Sequence, residues 1–266
     1  MEIKFNGHPL QTTCRSLQEL HDSCAPAAAM TILNGYATTQ DLALHDGDEV
    51  FCIEKNRLPS QEALESMMCA RHTPHVHEKI RHSCVGIAGL GGLGSHVAIF
   101  LARMGIGTLH LVDFDTVDVS NLNRQAYRIC DLGAYKADAL EAQIRDINPF
   151  IKIRKDMVRV TRDNAAQLFA ADQVVCEAFD NPESKALLID VLLQQTPSKY
   201  IVAASGMAGY GESNAIQTHQ VTDHFIICGD RTSAARPGMG LMAPRVAICA
   251  GHEANAILKV LVGIQQ

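Results

Sequence analysis

The chain has 266 residues, a formal net charge of −6 at pH 7 and a hydrophobic content of 47%. The acidic balance argues against a nucleic-acid-binding protein, which would carry a basic surface. No apolar run reaches the roughly 18 residues needed to cross a bilayer, and the first residues do not resemble a signal peptide. A cytoplasmic protein is therefore expected, with its nine cysteines as reduced and mostly buried thiols.

The beginning of the chain predicts a short β-hairpin followed by a helix. Apolar residues alternate with polar ones up to Phe5, and Asn6-Gly7 then favours a two-residue hairpin turn. Ser16 is in position to cap a short helix, and Glu19, three residues later, predicts a capping box.

Further strands are expected before residue 56. One is predicted near residues 30–33, and Asp46-Gly47-Asp48 predicts a turn before a last strand over residues 49–54. Two strands, a helix and then more strands in such a short segment indicate a small β-grasp domain over residues 1–56.

The remainder of the chain divides into a connector and a larger domain. Residues 57–83 predict a helical connector, with a helix that begins at Ser60 and is ended by Pro74. Over residues 84–266 strands and helices alternate, which implies a mostly parallel sheet covered by helices. Segment 209–228 is expected to add antiparallel strands at one edge, and Gly263 to cap the last helix.

A glycine-rich turn begins this larger domain. The apolar strand Val85–Ala88 leads into Gly89-Leu90-Gly91-Gly92-Leu93-Gly94, and a helical pattern follows. This arrangement lets the backbone approach a phosphate at the positive end of a helix. Asp113 ends the next strand, where an acidic residue would bind ribose hydroxyls. The sequence therefore predicts nucleotide binding, with a tight turn that binds no ligand as the alternative.

The type of nucleotide is indicated by polar residues that follow the strands. Arg124 lies in a polar segment after Asp113, Lys136 begins the next helix, and Asp180 follows another apolar strand. Two cations and a carboxylate suit a triphosphate with magnesium better than a nicotinamide, although an arginine near this point also suits the 2′-phosphate of NADP. No Gly-x-x-x-x-Gly-Lys-Ser/Thr motif of a P-loop enzyme occurs.

These residues together resemble the ThiF/MoeB family of adenylating enzymes, bacterial relatives of ubiquitin-activating enzymes. The resemblance covers about residues 70–263, and residues 1–56 resemble the ubiquitin-like sulfur carrier ThiS. The motifs that carry it are Gly89–Gly94, Asp113-Phe114-Asp115, Ser120-Asn121-Leu122-Asn123-Arg124-Gln125, Lys136 and Asp180-Asn181. The resemblance implies a Rossmann-like α/β fold preceded by a ubiquitin-like β-grasp domain.

The resemblance also implies a reaction and partners. The expected function is ATP-dependent adenylylation of the C-terminal glycine of a small ThiS-like carrier, a step in thiamine thiazole biosynthesis, by a homodimer. A molybdopterin-type carrier is an alternative substrate. An NAD-dependent oxidoreductase and a non-catalytic scaffold that binds the carrier remain as alternatives from other classes.

Site residues follow from the same resemblance. Asp113 is expected to bind ribose and Asp180 to bind Mg²⁺, while Arg71 is expected to reach the nucleotide of the other subunit. For Asp115 a structural hydrogen-bonding role is favoured over contact with the nucleotide. The full expected set comprises catalytic Arg71, Arg124, Lys136 and Asp180, and the nucleotide-binding residues Gly89, Gly91, Gly92, Gly94, Asp113, Asp115, Asn121, Arg124 and Lys136.

Three departures from the family pattern qualify these expectations. The ThiS-like segment continues through Arg57-Leu58-Pro59 and has no terminal Gly-Gly, so it is not expected to be the group that is adenylated. No Cys-x-x-Cys pair occurs, so a structural zinc site is not expected. Cys228 is the candidate nearest to the loop where some relatives carry a reactive cysteine, but a buried structural thiol is the favoured interpretation.

Overall fold

The computed structural model describes residues 1–55 and 59–263. The chain forms two compact units, Met1–Lys79 and Ile80–Gln266. The boundary that the sequence predicts at residues 56 and 57 lies outside the described residues. Along the described residues, no helix is both long and apolar enough to cross a membrane.

The elements of the first unit begin with β1 (Glu2–Phe5), β2 (His8–Gln11), α1 (Leu17–Cys24), β3 (Ala28–Leu33), β4 (Tyr36–Thr38) and β5 (Glu49–Glu54). The strands form a mixed five-stranded sheet in the order β2-β1-β5-β3-β4. β1 and β5 are parallel, whereas the other neighbouring pairs are antiparallel. The helix α1 covers a core that includes Leu17, Leu20 and Val50. This is the predicted ubiquitin-like β-grasp fold. Two helices of the connector follow, α2 (Gln61–His72) and α3 (Pro74–Arg81).

Local signals in this unit are confirmed with one correction. Asn6 and Gly7 both have positive φ angles, 49° and 84°, as the tight hairpin requires. The Ser16 hydroxyl caps α1 by accepting a hydrogen bond from the N–H of Glu19. The predicted capping box is wrong, because the Glu19 carboxylate accepts from the N–H of Arg15 instead of closing back on Ser16.

The connector contains two helices rather than one. The first helix begins after Ser60 as predicted, and the Ser60 hydroxyl caps it by accepting from the N–H of Ala63 at 3.2 Å. Pro74 was expected only to end this helix, but it also begins α3. Proline is well suited to a first helical position because its missing N–H has no intrahelical partner there.

The elements of the second unit are β6 (Cys84–Ala88), α4 (Gly92–Arg103), β7 (Thr108–Val112), α5 (Lys136–Ile147), β8 (Lys152–Asp156), α6 (Ala165–Leu168), β9 (Val174–Glu177), α7 (Pro182–Gln195), β10 (Tyr200–Ala204), β11 (Gln217–Thr222), β12 (Phe225–Gly229) and α8 (Ala243–Val262). The strands form a seven-stranded sheet in the order β11-β12-β10-β9-β6-β7-β8, with helices on both faces. Val175 packs with residues of α6 and α7 on one face, whereas the neighbouring Cys176 contacts α8 on the other.

The strand directions confirm a Rossmann-like sheet and correct one detail. β12 is parallel to β10, and only β11 is antiparallel to its neighbour. The chain leaves β10 at the carboxyl edge, returns along β11 and turns tightly into β12, so that β12 again follows the direction of the sheet. At the end of α8, Gly263 adopts the left-handed conformation (φ 80°) expected of a helix C-cap.

Candidate nucleotide-binding site

The glycine-rich turn joins β6 to α4 and admits little besides glycine. A Cβ atom on Gly94 would lie 1.9 Å from the carbonyl oxygen of Gly89, and one on Gly92 would lie 3.0 Å from Val246. Gly89 itself has a φ of 90° and packs against Ala178. Gly91 is the N-cap of α4 and has no side chain that could cap the helix. Because no side chain caps them, the first N–H groups of α4 can receive an anion.

Asp113 is tied to this turn at the carboxyl end of β7. One carboxylate oxygen accepts the N–H of Leu90 at 2.7 Å, and the other accepts the N–H of Asp115 at 2.8 Å. Burial raises the pKa of Asp113 above its usual value, although Lys136 and the two backbone donors oppose the shift. The carboxylate is thus fixed beside the glycine-rich turn, where the sequence predicts a contact with ribose.

Lys136 is a buried cation at the start of α5. Its Nζ atom lies 2.9 Å from Asp115 Oδ2 and 3.9 Å from Asp113 Oδ2. The Lys136 side chain is only 8% exposed, whereas that of Asp115 is 51% exposed. An anionic ligand that reaches Lys136 would therefore compete with the exposed carboxylate of Asp115, which is here its ion-pair partner.

The polar segment after β7 holds Asn121 and Arg124. The Asn121 side-chain oxygen accepts the N–H of Asp118 at 3.0 Å, which closes a short capped turn. Arg124 donates to the carbonyl oxygen of Ser120 and to the side-chain oxygen of Asn123. Both partners of the Arg124 guanidinium are neutral oxygens, so its positive charge is available to an anionic ligand.

Two residues that the sequence analysis did not assign connect this segment to the glycine-rich turn and α4, and a third lies near Gly91. The Tyr127 hydroxyl donates to the carbonyl oxygen of Leu90 at 2.8 Å, and Ser95 accepts from the backbone of Ala126. The side-chain oxygen of buried Gln125 has no hydrogen-bond partner among the described residues. Gln125 belongs to the family motif and could have been found from it, whereas nothing in the local sequence marks Tyr127 or Ser95.

Asp180 lies in the turn between β9 and α7. β9 is the parallel neighbour of β6, so the turn follows the same edge of the sheet as the glycine-rich turn. The helix cap is Asn181, whose side chain accepts from Ser184 at 2.9 Å, and not Asp180. The Asp180 carboxylate is exposed and has no hydrogen bond or ion pair to the described residues. It is thus open to a ligand.

The residues present fit magnesium bound together with a nucleotide. Within the ranges 1–55 and 59–263, no group of three or more His, Cys, Asp or Glu side chains could hold a metal by itself. Mg²⁺ is usually held by one or two carboxylates together with substrate phosphates, and the unpaired Asp180 supplies one such ligand. Cys228 is buried, and burial raises the pKa of its thiol to about 12, which disfavours the reactive thiolate.

The eleven predicted site residues are divided between the two units, ten in the second and one in the first. The glycine-rich turn, Asp113, Asp115, the 121–124 segment, Lys136 and Asp180 all belong to the second unit. Arg71 lies in the last turn of α2 in the first unit, where it is exposed.

The fold and the site define a Rossmann-like α/β domain preceded in the chain by a ubiquitin-like domain. The model of the ThiF family matches residues 64–266, and the model of ThiS-like ubiquitin matches residues 1–56. Since the first match covers well over half of the chain, the protein belongs to the ThiF family.

Curated relatives align with the chain over about half of its length. The adenylyltransferase and sulfurtransferase UBA4 of Lodderomyces elongisporus is 34% identical over 148 residues, which cover 55% of this chain and 32% of the relative. The probable adenylyltransferase/sulfurtransferase MoeZ of Mycobacterium tuberculosis is 33% identical over 138 residues, or 48% of this chain and 35% of the relative. The matched region thus spans about a third of these relatives.

Solved structures support the same fold. The E. coli tRNA N6-threonylcarbamoyladenosine dehydratase TcdA, in complex with ATP, has a TM-score of 0.69 at 23% identity and covers 78% of this chain and 98% of its own. E. coli MccB with ATP has a TM-score of 0.56 at 19% identity, covering 77% of this chain and 63% of its own.

Proposed function

We propose that this chain uses ATP to adenylate the C-terminal carboxylate of a separate ubiquitin-like sulfur carrier protein. The observation that carries the proposal is the clustering of the glycine-rich turn, Asp113, Arg124, Lys136 and Asp180 at one edge of the sheet. Curated relatives in the same family are named adenylyltransferases, and a fold neighbour contains ATP. For the carrier, a ThiS-like protein of thiamine thiazole biosynthesis is proposed.

The chemistry requires positioning and charge compensation more than a covalent group. The carrier carboxylate attacks the α-phosphorus of ATP, and the bond to the β-phosphate oxygen breaks to release pyrophosphate. The N–H groups at the start of α4 favour phosphate oxygens. Arg124 and Lys136 offset the negative charge that develops on the phosphates. When bound, Mg²⁺ would neutralise phosphate charge beside Asp180.

The ion pairs around Lys136 suggest how the nucleotide is recognised. The exposed carboxylate of Asp115 holds Lys136 at 2.9 Å. A phosphate oxygen would replace Asp115 as the partner of Lys136 and bring a larger negative charge to the same point. Asp113, with its two backbone hydrogen bonds, retains its position and contacts the ribose. On this proposal Asp115 pairs with Lys136 only while the site is empty, and it does not contact the nucleotide.

The ThiS-like unit is proposed to be an accessory domain and not the substrate. β5 is its last strand, and the sequence after it continues into the connector without a Gly-Gly pair. The carboxylate that the reaction consumes must therefore come from another protein. The active form is proposed to be a homodimer in which Arg71 contacts the nucleotide of the other subunit.

Exchange of labelled pyrophosphate into ATP tests this function directly. Exchange should appear only when a Gly-Gly-ending carrier is present, and removal of the carrier's last glycine should abolish it. Parallel reactions with ThiS-like and molybdopterin-type carriers would identify the substrate. Absence of exchange with every carrier, despite ATP binding, would favour a non-catalytic scaffold. Binding of NAD and not ATP would favour an oxidoreductase.

A further inference from the structure

An ion pair between a buried carboxylate and a half-buried lysine lies at the two ends of the turn that carries Asp180. Glu177 is the last residue of β9 and is fully buried. One of its carboxylate oxygens lies 2.6 Å from the Nζ atom of Lys185, which is in the first turns of α7. The other oxygen accepts the N–H of Phe179 at 2.8 Å. A single carboxylate thus holds both the backbone of the turn and the helix that follows it.

Other contacts fix the rest of this turn. The N–H of Ala178 donates to Ala88 at the end of β6 at 2.8 Å, so the turn is joined to the strand that precedes the glycine-rich turn. Asn181 caps α7, and the N–H of Lys185 donates to the Asn181 carbonyl oxygen. Asp180 is exposed within this fixed segment, and its side chain makes no hydrogen bond or ion pair with the supporting groups.

The Glu177 carboxylate is buried at a cost in free energy, although the Lys185 side chain remains 23% exposed. A carboxylate and an ammonium group lose their hydration when they are buried, and an apolar pair of similar volume is often equally or more stable. Burial raises the pKa of Glu177, while Lys185 and the Phe179 N–H favour its charged form. An apolar residue at this strand end would satisfy the core but could not hold the N–H of Phe179. The pair therefore serves the geometry of the turn.

We infer that Glu177 and Lys185 are positioning residues that fix the Asp180 carboxylate for a magnesium–nucleotide complex. The inference rests on the proposed function in so far as Asp180 faces Mg²⁺ bound to ATP. Glu177 acts through the backbone at Phe179, and Lys185 acts through Glu177. Loss of either side chain loosens the turn, so that Asp180 loses part of its contribution to magnesium binding.

Calorimetric titration with ATP at a series of Mg²⁺ concentrations measures this effect without relying on catalysis. The variants are Glu177→Gln, Lys185→Met and Asp180→Asn. Asp180→Asn should raise the Mg²⁺ concentration needed for half-maximal enhancement of ATP affinity by about tenfold, which corresponds to about 1.4 kcal/mol. Glu177→Gln and Lys185→Met should each raise it several-fold, because they remove part of the same contribution. In Glu177→Gln and Lys185→Met, ATP affinity without Mg²⁺ should stay unchanged. Lys185→Arg, which keeps the positive charge, should restore a value near that of the wild type.

A matched control separates positioning from general loss of stability. Asp172 is another fully buried carboxylate, paired with His110 and Arg154, and it precedes β9 at the opposite edge of the sheet. Asp172→Asn should lower the melting temperature but leave the Mg²⁺ dependence unchanged. An equal shift in Asp172→Asn and Glu177→Gln would overturn the inference.

The double variant Glu177→Gln/Asp180→Asn gives the decisive comparison. If Glu177 acts through Asp180, its substitution adds no further shift once Asp180 is gone. Additive shifts would show that Glu177 acts elsewhere, and an unchanged Mg²⁺ dependence in Glu177→Gln would refute the inference outright. The wild type distinguishes this failure from that of the proposed function: magnesium-dependent ATP binding without carrier-dependent exchange would reject only the latter.

Discussion

Glu253 gives the stability of the second unit a strong dependence on pH. This residue of α8 is fully buried. One carboxyl oxygen has no hydrogen-bond partner among the described residues, and the other has only the Cys176 thiol at 3.7 Å. Burial raises the pKa of Glu253 to about 8 from a usual 4.5, and the nearby Lys185 opposes this shift only in part. The buried group is therefore a neutral acid at pH 7.

The magnitude follows from the linkage between protonation and folding. Between pH 4.5 and 8 the unfolded chain releases the proton from Glu253, whereas the folded chain keeps it. The free energy of unfolding therefore falls as pH rises, by about 1.4 kcal/mol per pH unit from this group. Its stabilising contribution is fully present below pH 4.5, and about 5 kcal/mol is lost by pH 9. That loss is comparable to the total stability of many small domains.

Glu253→Gln removes this titration while keeping the size of the side chain. Urea unfolding followed by circular dichroism between pH 5 and 8.5, under reducing conditions, gives the free energy of unfolding for both proteins. Because the new amide group has its own constant cost, the slopes are compared and not the absolute values. The variant should lose most of the decline with pH, whereas Glu183→Gln, on the surface of α7, should keep the wild-type slope. Equal slopes for wild type and Glu253→Gln would refute the reasoning.

Other predictions concern the turn, a second ion pair and the dimer. Gly94→Ala would place a Cβ 1.9 Å from the carbonyl oxygen of Gly89 and so distort the glycine-rich turn. Calorimetry should show no ATP binding by this variant, and wild-type affinity would contradict the packing argument. Burial raises the pKa of Asp230, but backbone N–H groups and Arg245 hold it well below its usual value. Asp230→Asn should therefore cost about 3 kcal/mol in denaturant unfolding at pH 7 and progressively less below pH 4; a constant cost across pH would count against this. Mixing inactive Arg71→Ala and Lys136→Ala chains should restore part of the exchange activity, and no rescue would exclude a shared site.

Features set by a few adjacent residues were predictable from the sequence. The Asn6-Gly7 turn, the cap at Ser16, the start of a helix at Ser60 and the C-cap at Gly263 were all predicted, because each depends on the backbone preference or hydrogen bonds of neighbouring residues. The apolar strand predicted over 85–88 is β6, which begins one residue earlier at Cys84, since a buried parallel strand is a continuous apolar run. The glycine-rich turn was recognisable because its residues are adjacent in the sequence.

Features that depend on distant parts of the chain were not predictable. The Glu19 carboxylate accepts the N–H of Arg15, and this choice depends on the path of the chain before the helix. The direction of β12 depends on the edge of the sheet at which the chain begins β11, and the sequence does not indicate that edge. The link from Tyr127 to the glycine-rich turn joins residues 37 positions apart, and the sequence spacing contains no signal for it. The Glu177–Lys185 pair was missed because a charged residue in an apolar strand gives no indication of its partner.

Mass spectrometry of the carrier tests the central claim most directly. The protein, ATP, Mg²⁺ and a Gly-Gly-ending carrier are mixed, quenched rapidly in acid and analysed as intact chains. An AMP adduct should form on the carrier, disappear when its last glycine is deleted, and be absent from this chain. An adduct on this chain, or an unmodified carrier although ATP is bound, would contradict the proposal that this protein adenylates a separate carrier.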